Sequence, residues 1–410
     1  MKDEEMSMKA KKWTFLLTTL ATLSLVTACA QSTANTTASN STTTTSNTTA
    51  KKTSYFTDKD YDTSYDEKSA STVTLSGSTA TVSGDGVDVS GSTVTISKSG
   101  TYVISGQSDG VQIKIAAEKT DDVHIVLNGV TMTNTNAAIS ATSAGHVYLT
   151  LADGTTNTLS DSASNSDEKA DAALFSKVDL TINGKGTLNV DGKKNNGIKA
   201  NDTLHITGGT YNITAVGDAF NVNDELNITG TTMTIDAKKD GVKVDNDDTS
   251  VGTMYLSDNT ITVTAGDDGI HASGDLVIDS GTYTVKNSTE GLEGKSITIN
   301  GGDITIYSTD DGVNAANKNA QQSEIFFTMN GGNLTVEVGQ GDTDPIDSNG
   351  NITVNGGTIK MTGQSGFDFD GTATYTGGEI YLNGEKQTEI VNSMPGGGGP
   401  QGNGGPGGRP

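Results

Sequence analysis

Cysteine occurs once in the 410 residues, at Cys29, so no disulfide can form within the chain, and the fold must rest on packing, hydrogen bonds or metal. Tryptophan also occurs once, at Trp13, and aromatic residues make up only 5% of the sequence, which excludes a core built on large rings. Of five prolines, four lie at or beyond Pro395. Arginine is confined to Arg409, and the formal charge is −24, so there is no basic face for nucleic acid. No stretch carries a useful 3.6-residue apolar period, which argues against a helical domain.

What is present is glycine, 51 residues of it, threonine, and a repeat. The segment from Gly266 to Ala315 contains two turns of one pattern: an acidic residue, Gly, an apolar residue, a gap, L-x-I or I-x-I, a Gly-bearing turn, then Y-x-V or I-x-I. Gly269, Gly291 and Gly312 mark it at intervals of 22 and 21, and the frame extends back through Gly241, Ala219, Gly197, Ala173, Ala138 and Gly110 to Gly86 and forward to Pro345 and Gly366. A period of this size denotes stacked repeats. Each unit holds three short alternating segments, such as those at Ile270, Leu276 and Tyr283, and is rich in β-branched residues. The expected architecture is all-β: one parallel β-helix of about a dozen rungs, three strands to the rung. The handedness of parallel crossovers makes it right-handed. Gly301-Gly302, Gly331-Gly332, Gly356-Gly357 and Gly377-Gly378 are expected at its corners.

The ends read differently. Residues 1–28 have a basic region at Lys9, Lys11 and Lys12 followed by an apolar run from Trp13 to Val26, the pattern of an export signal. Val26-Thr27-Ala28-Cys29 resembles a bacterial lipobox, which implies cleavage before Cys29 and a lipid on its sulfur, a tether at the cell surface rather than a membrane span. Residues 29–52 are a Ser/Thr-rich spacer, 53–392 the β-helix with Tyr55 to Lys68 leading into a capping rung, and 393–410 a Gly/Pro-rich tail without a core.

Chemistry must then lie in what repeats along the rod's surface. The residues before the aligned positions include Asp218, Asp240, Asp268, Glu290, Asp311 and Asp344, and stacking should place them in a column at strand spacing. A second outward column runs Lys199, Asn221, Lys243, His271, Glu293, Asn314, Asp347 and Asp368, while Asp267 and Asp310 thicken the first. Carboxylates so close repel, and a hard divalent cation, Ca2+, relieves them. The candidate ligands are therefore Asp218, Asp240, Asp267, Asp268, Glu290, Glu293, Asp310, Asp311, Asp344 and Asp347. A simpler reading, in which Asp before Gly only favours the turn, leaves the doubled acids unexplained.

The lipoprotein-like start, the segments VHIVLNGVTMTN and LFSKVDLTINGKGTLNV, the rungs ending DDGIHA and DDGVNA, and the tail after TGGEIYLNG together resemble a family of bacterial extracellular carbohydrate-binding proteins. The resemblance spans Val73 to Gly384 and implies a calcium-binding, pectate-lyase-like right-handed β-helix that binds cellulose-like or pectin-like polysaccharide. It also implies that Asp240, Asp267, Asp268, Glu290, Asp310 and Asp311 are metal ligands. Tyr211 and Tyr283 are expected to point inward, and Tyr148, Tyr255, Tyr307 and Tyr381 outward, where a ring can stack on a sugar. Two rivals stay open. A calcium-dependent lyase acting on pectate needs a basic residue, for which Lys243 and Lys199 are the candidates, although surface lysines that only neutralise neighbouring Asp240 and Asp218 are the simpler reading; a structural surface protein or adhesin needs no ligand.

Overall fold

The computed structural model describes residues 55–248, 250–341 and 343–393. The expected export signal, the lipidation site Cys29, the spacer as far as Ser54 and the tail from 394 onward lie outside the described residues.

Alternation of apolar and polar residues builds each strand. In Thr210–Ala215 the side chains of Tyr211, Ile213 and Ala215 are buried, while Thr210, Asn212 and Thr214 face out. Such a strand has one face to bury, and it does so against the equivalent strand of neighbouring turns. Thr187–Gly192, Thr210–Ala215 and Thr232–Ala237 pair in parallel and in register, and each is separated from the next by two strands on other faces. Three strands to a turn, stacked in parallel, is the expected β-helix.

The register can be followed along one face through Ile198, Phe220, Val242, Ile270, Leu292, Val313, Ile346 and Phe367, each opposite the next. Behind them a single column of buried Ile, Val and Leu runs the length of the rod, with Tyr102, Tyr211 and Tyr283 inside it. Tyr211 and Tyr283 thus point inward as expected.

The repeat frame holds from Ala138 to Gly366 and fails before it. Ile113, not Val111, faces Ile139, so the mark at Gly110 is two residues out. Gly86 does not open a parallel rung; it leads into an antiparallel hairpin of Val87–Ser90 with Thr93–Ile96. Ser71–Gly77 and Thr79–Ser83 form a second hairpin, and Glu379–Leu382 with Glu385–Gln387 a third at the other end. The end rungs lack one neighbour, so the chain folds back on itself there instead of repeating. Before the chain enters the first hairpin at Ser71, Tyr55 to Ser64 lies along the side of the rod, where Asp60 contacts Thr181 and Thr207.

Two kinds of glycine position the site. Gly302, Gly332, Gly357 and Gly378 have φ between +81° and +94°, and supply the corner of four turns. Gly241, Gly269, Gly291 and Gly312, which follow the acidic column, serve close approach instead. A Cβ on Gly291 would stand 2.3 Å from the Gly312 carbonyl oxygen and 2.3 Å from Ile306 Cγ2. Gly291→Ala is therefore expected to lower stability by about 1–3 kcal/mol, the range for overpacking a tight interior, read as a fall in the unfolding midpoint by circular dichroism.

Candidate functional site

The ladder brings the acidic residues into line, and it also shows why they are there. Asp218 backbone N–H donates to Asn196 Oδ1 (3.3 Å), Asp240 N–H to Asp218 Oδ1 (3.2 Å) and Asp268 N–H to Asp240 Oδ1 (3.1 Å). Asp344 N–H donates to Asp311 Oδ1 (2.8 Å) in the same way. One oxygen of each of these side chains thus serves the backbone of the next turn. The turn reading and the column reading both describe it.

The other oxygen distinguishes two halves of the column. In the first half it is bound by the second column, three residues on in the chain. Asn221 Nδ2 donates to Asp218 Oδ2 (2.7 Å), Lys243 Nζ to Asp240 Oδ2 (2.7 Å), and His271 Nδ1 lies 3.1 Å from Asp268 Oδ2 and against Glu293. Burial disfavours the His271 imidazolium, but Asp268 and Glu293 outweigh it and raise its pKa to about 10. Asp240, Asp267 and Asp268 bring carboxylate oxygens within 4.8 Å of one another, and a ring nitrogen of His271 lies as close to oxygens of Asp268 and Glu293. In the first group Asp240 also pairs with Lys243, and in the second His271 lies between Asp268 and Glu293. Of the ligands the family resemblance implies, Asp240, Asp267 and Asp268 are brought together, with Asp240 and Asp268 also pairing with Lys243 and His271; Asp267 and Asp310 are exposed.

In the second half no lysine or histidine stands in the column beyond His271. Glu293, Asn314, Asp347 and Asp368 lie side by side on successive turns. Burial, then the charge of Glu293, lifts Glu290 to about 8. Burial, then Asp311, Asp368 and Asp344, lifts Asp347 to about 7, and burial with Asp310 and Asp344 lifts Asp311 to about 6. Asp344 is drawn against Ser365 Oγ. Between these acids sits Asn314: its Nδ2 donates to Glu290 Oε2 (3.0 Å), and its Oδ1 is buried with no hydrogen-bond partner. The orphaned amide oxygen and the carboxylates of Glu290, Glu293 and Asp347 are hard donors of the kind Ca2+ takes, but among the described residues three acidic or histidine side chains converge within 4.8 Å only at Asp240, Asp267 and Asp268 and at Asp268, His271 and Glu293.

The lysines proposed as bases are paired. Lys199 Nζ is 2.7 Å from Asp171 Oδ1, and Lys243 is held above its ordinary pKa because Asp240 and Asp218 outweigh the cost of burial. Asp171, whose Oδ2 also accepts from Asn195 (2.7 Å), lies in the insertion after Ser160 and carries no repeat signal.

A second face carries polar and aromatic side chains. His124, Tyr148, Thr181, His205, Asn227 and Tyr255 stand opposite one another on consecutive turns. Residues 55–64 cross this column. The Tyr55 ring stacks on Tyr255 at 3.6 Å and 9°, Phe56 meets His205 edge-on at 5.5 Å, and Lys59 Nζ sits 4.5 Å over the Tyr148 ring. Asp60 is buried among them. Tyr148 and Tyr255 do face outward, but onto this segment rather than open solvent. The column itself is legible as the middle residue of each L-x-I strand; the segment covering it carries no sequence signal.

A family model described as "Carbohydrate-binding domain-containing protein" matches residues 90–344 and 274–395, most of the described rod. The chain belongs to this carbohydrate-binding family. Among solved structures, the gadolinium derivative of a polysaccharide lyase-like protein from C. thermocellum is similar at 23% identity and a TM-score of 0.44, over 79% of this chain and 96% of that one. The curated proteins hold no match.

For this carbohydrate-binding domain the raised carboxyls have a measurable consequence. A carboxyl whose folded value is raised stabilises the fold fully below its unfolded value, near 4, and that stabilisation is lost as pH climbs through the folded value. In chelator, Glu290, Asp311 and Asp347 therefore cost stability progressively from about pH 4 to about pH 8. Glu290→Gln with Asp347→Asn is expected to flatten that slope and to melt at higher temperature than the parent at pH 8 without metal. An unchanged slope contradicts the assignment.

Proposed function

We propose that the chain is a lipid-anchored, non-catalytic polysaccharide binder of the bacterial cell surface, tethered through Cys29, which takes up acidic, pectin-like glycan through Ca2+ held on the second half of its acidic columns. The observation that carries this reading is the buried, unpartnered Asn314 Oδ1 beside Glu290, Glu293 and Asp347, of which only Glu293 meets a cation among the described residues, His271. These four residues would hold the ion. Ca2+ binds six to eight oxygens, so a site of four protein side chains leaves places for glycan carboxylates. The rod's own part is rigidity: neighbouring turns fix the ligands at strand spacing, and little ordering is left for binding to accomplish.

Polygalacturonate suits this site better than cellulose, since a neutral glycan gains little from a bridging cation. The lyase reading is disfavoured by the lysines. A base must release its proton near neutral pH, whereas Lys243 is stabilised as the ammonium by Asp240, and Lys199 is tied to Asp171. The adhesin reading shares the rod but assigns the carbohydrate no role.

Retention on calcium pectate gel is expected, with loss in EDTA and at least a tenfold loss in Glu290→Gln/Asp347→Asn, while cellulose retains less. Absorbance of unsaturated product from polygalacturonate should stay flat. Binding that survives chelation and the double substitution sinks the calcium bridge, and rising absorbance abolished by Lys243→Ala restores the lyase.

A further inference from the structure

Three of the chain's four histidines, His124, His146 and His205, gather on the face that residues 55–64 cover, the one surface of this acidic rod where imidazoles and rings are concentrated. What lies on that face is a carboxylate bracketed by aromatic contacts. Asp60 is 2% exposed; its Oδ1 accepts from Thr181 Oγ1 (2.6 Å), and its Oδ2 lies 3.2 Å from His205 Nδ1. The rod also donates to backbone oxygens of the covering segment, from Thr207 Oγ1 to Asp60 O (2.6 Å) and from Asn227 Nδ2 to Tyr55 O (2.9 Å). No strand of the rod pairs with the segment; side-chain hydroxyls, amides and rings do the holding. That is the equipment with which a protein surface grips a sugar acid: a planar ring under a pyranose, donors for its oxygens, and a charged imidazole and hydroxyl for its carboxylate.

We infer that this face is a second glycan site, for a uronic acid residue, and that the chain's own segment Tyr55–Ser64 fills it as an intramolecular stand-in, with Asp60 in the place of the uronate carboxylate and Tyr55 in the place of the ring. The His205 contact shows the fit of a substitute. At 3.2 Å from Asp60 its Nδ1 forms an ion pair but falls short of an aligned hydrogen bond, a contact that a better-placed carboxylate would improve. Glu225 Oε1, 3.7 Å from Nε2, supports the imidazolium from the other side. Burial opposes that charge, but Asp60 and Glu225 outweigh it and raise His205 to about 9, so it is cationic at neutral pH. The ligand class rests on the polysaccharide-binding reading above, but the site needs no calcium.

That difference supplies the test. Trigalacturonate is titrated into the full chain by calorimetry in EDTA, where the acidic columns are silent, with cellotriose as the neutral comparator. Tyr55→Ala/Asp60→Ala, which loosens the covering segment, is expected to raise trigalacturonate affinity at least tenfold and cellotriose affinity little. Adding His205→Ala should abolish the gain. In the unaltered chain, millimolar trigalacturonate should speed tryptic cleavage after Lys59, a readout independent of any variant's folding. No gain in a double variant that keeps the parent circular dichroism spectrum, a gain indifferent to His205, or cleavage unaffected by ligand would each show the segment to be a permanent brace and overturn the inference. Loss of calcium-dependent pectate retention alone would refute the acidic-column reading and leave this one standing.

Discussion

The hydrogen-bonded ladder between successive turns is the constraint from which the rest follows. Parallel strands stack at one fixed spacing, so residues one turn apart are held together whatever their charge. Along the inside this gives a column of Ile, Val and Leu; along one corner it forces acid onto acid. The chain tolerates the corner because one oxygen of Asp218, Asp240 and Asp311 accepts the N–H of the next turn, so these carboxylates are structural acceptors before they are anything else. Glycine follows because the backbone of the next turn passes where a Cβ would be.

Charge compensation then divides the rod. Lys199, Lys243 and His271 pair with Asp171, Asp240 and Asp268, and that half closes on itself. Past Glu293 the second column turns from cations to Asn314, Asp347 and Asp368, and burial together with repulsion raises the pKa of Glu290 and Asp347. A surface with the same backbone repeat throughout therefore has two chemical characters. The difference is written in eight residues, one per turn.

Much of this was legible in advance, for a physical reason. A repeat of about 22 residues fixes which residues share a face, so the registers from Ala138 to Gly366 and both outward columns could be read without coordinates. The N-terminal turns could not, because hairpins there replace the repeat that made the reading possible. The pairing of Lys243 with Asp240 was expected as the simpler role of that lysine, but its geometry and the pairing of His271 with Asp268 were hidden for a different reason. Both pairs are three residues apart across a bend, and only the bend's shape decides whether they touch or whether the acids turn to a shared cation. Least legible was the segment 55–64. Asp60 meets Thr181 across 121 residues and Tyr55 meets Asn227 across 172, with no periodicity to announce either contact.

The reversed strands at the two extremities bear on how long such a molecule can become. A coil of parallel strands ends in backbone groups that a second copy, arriving end-on, could adopt as its next turn, and fibres grow in that way. Here Thr79–Ser83 and Glu385–Gln387 run opposite to their neighbours. A newcomer would find, on that face of each end, a strand pointing the wrong way for its own repeat, so direction as well as charge opposes end-on stacking there.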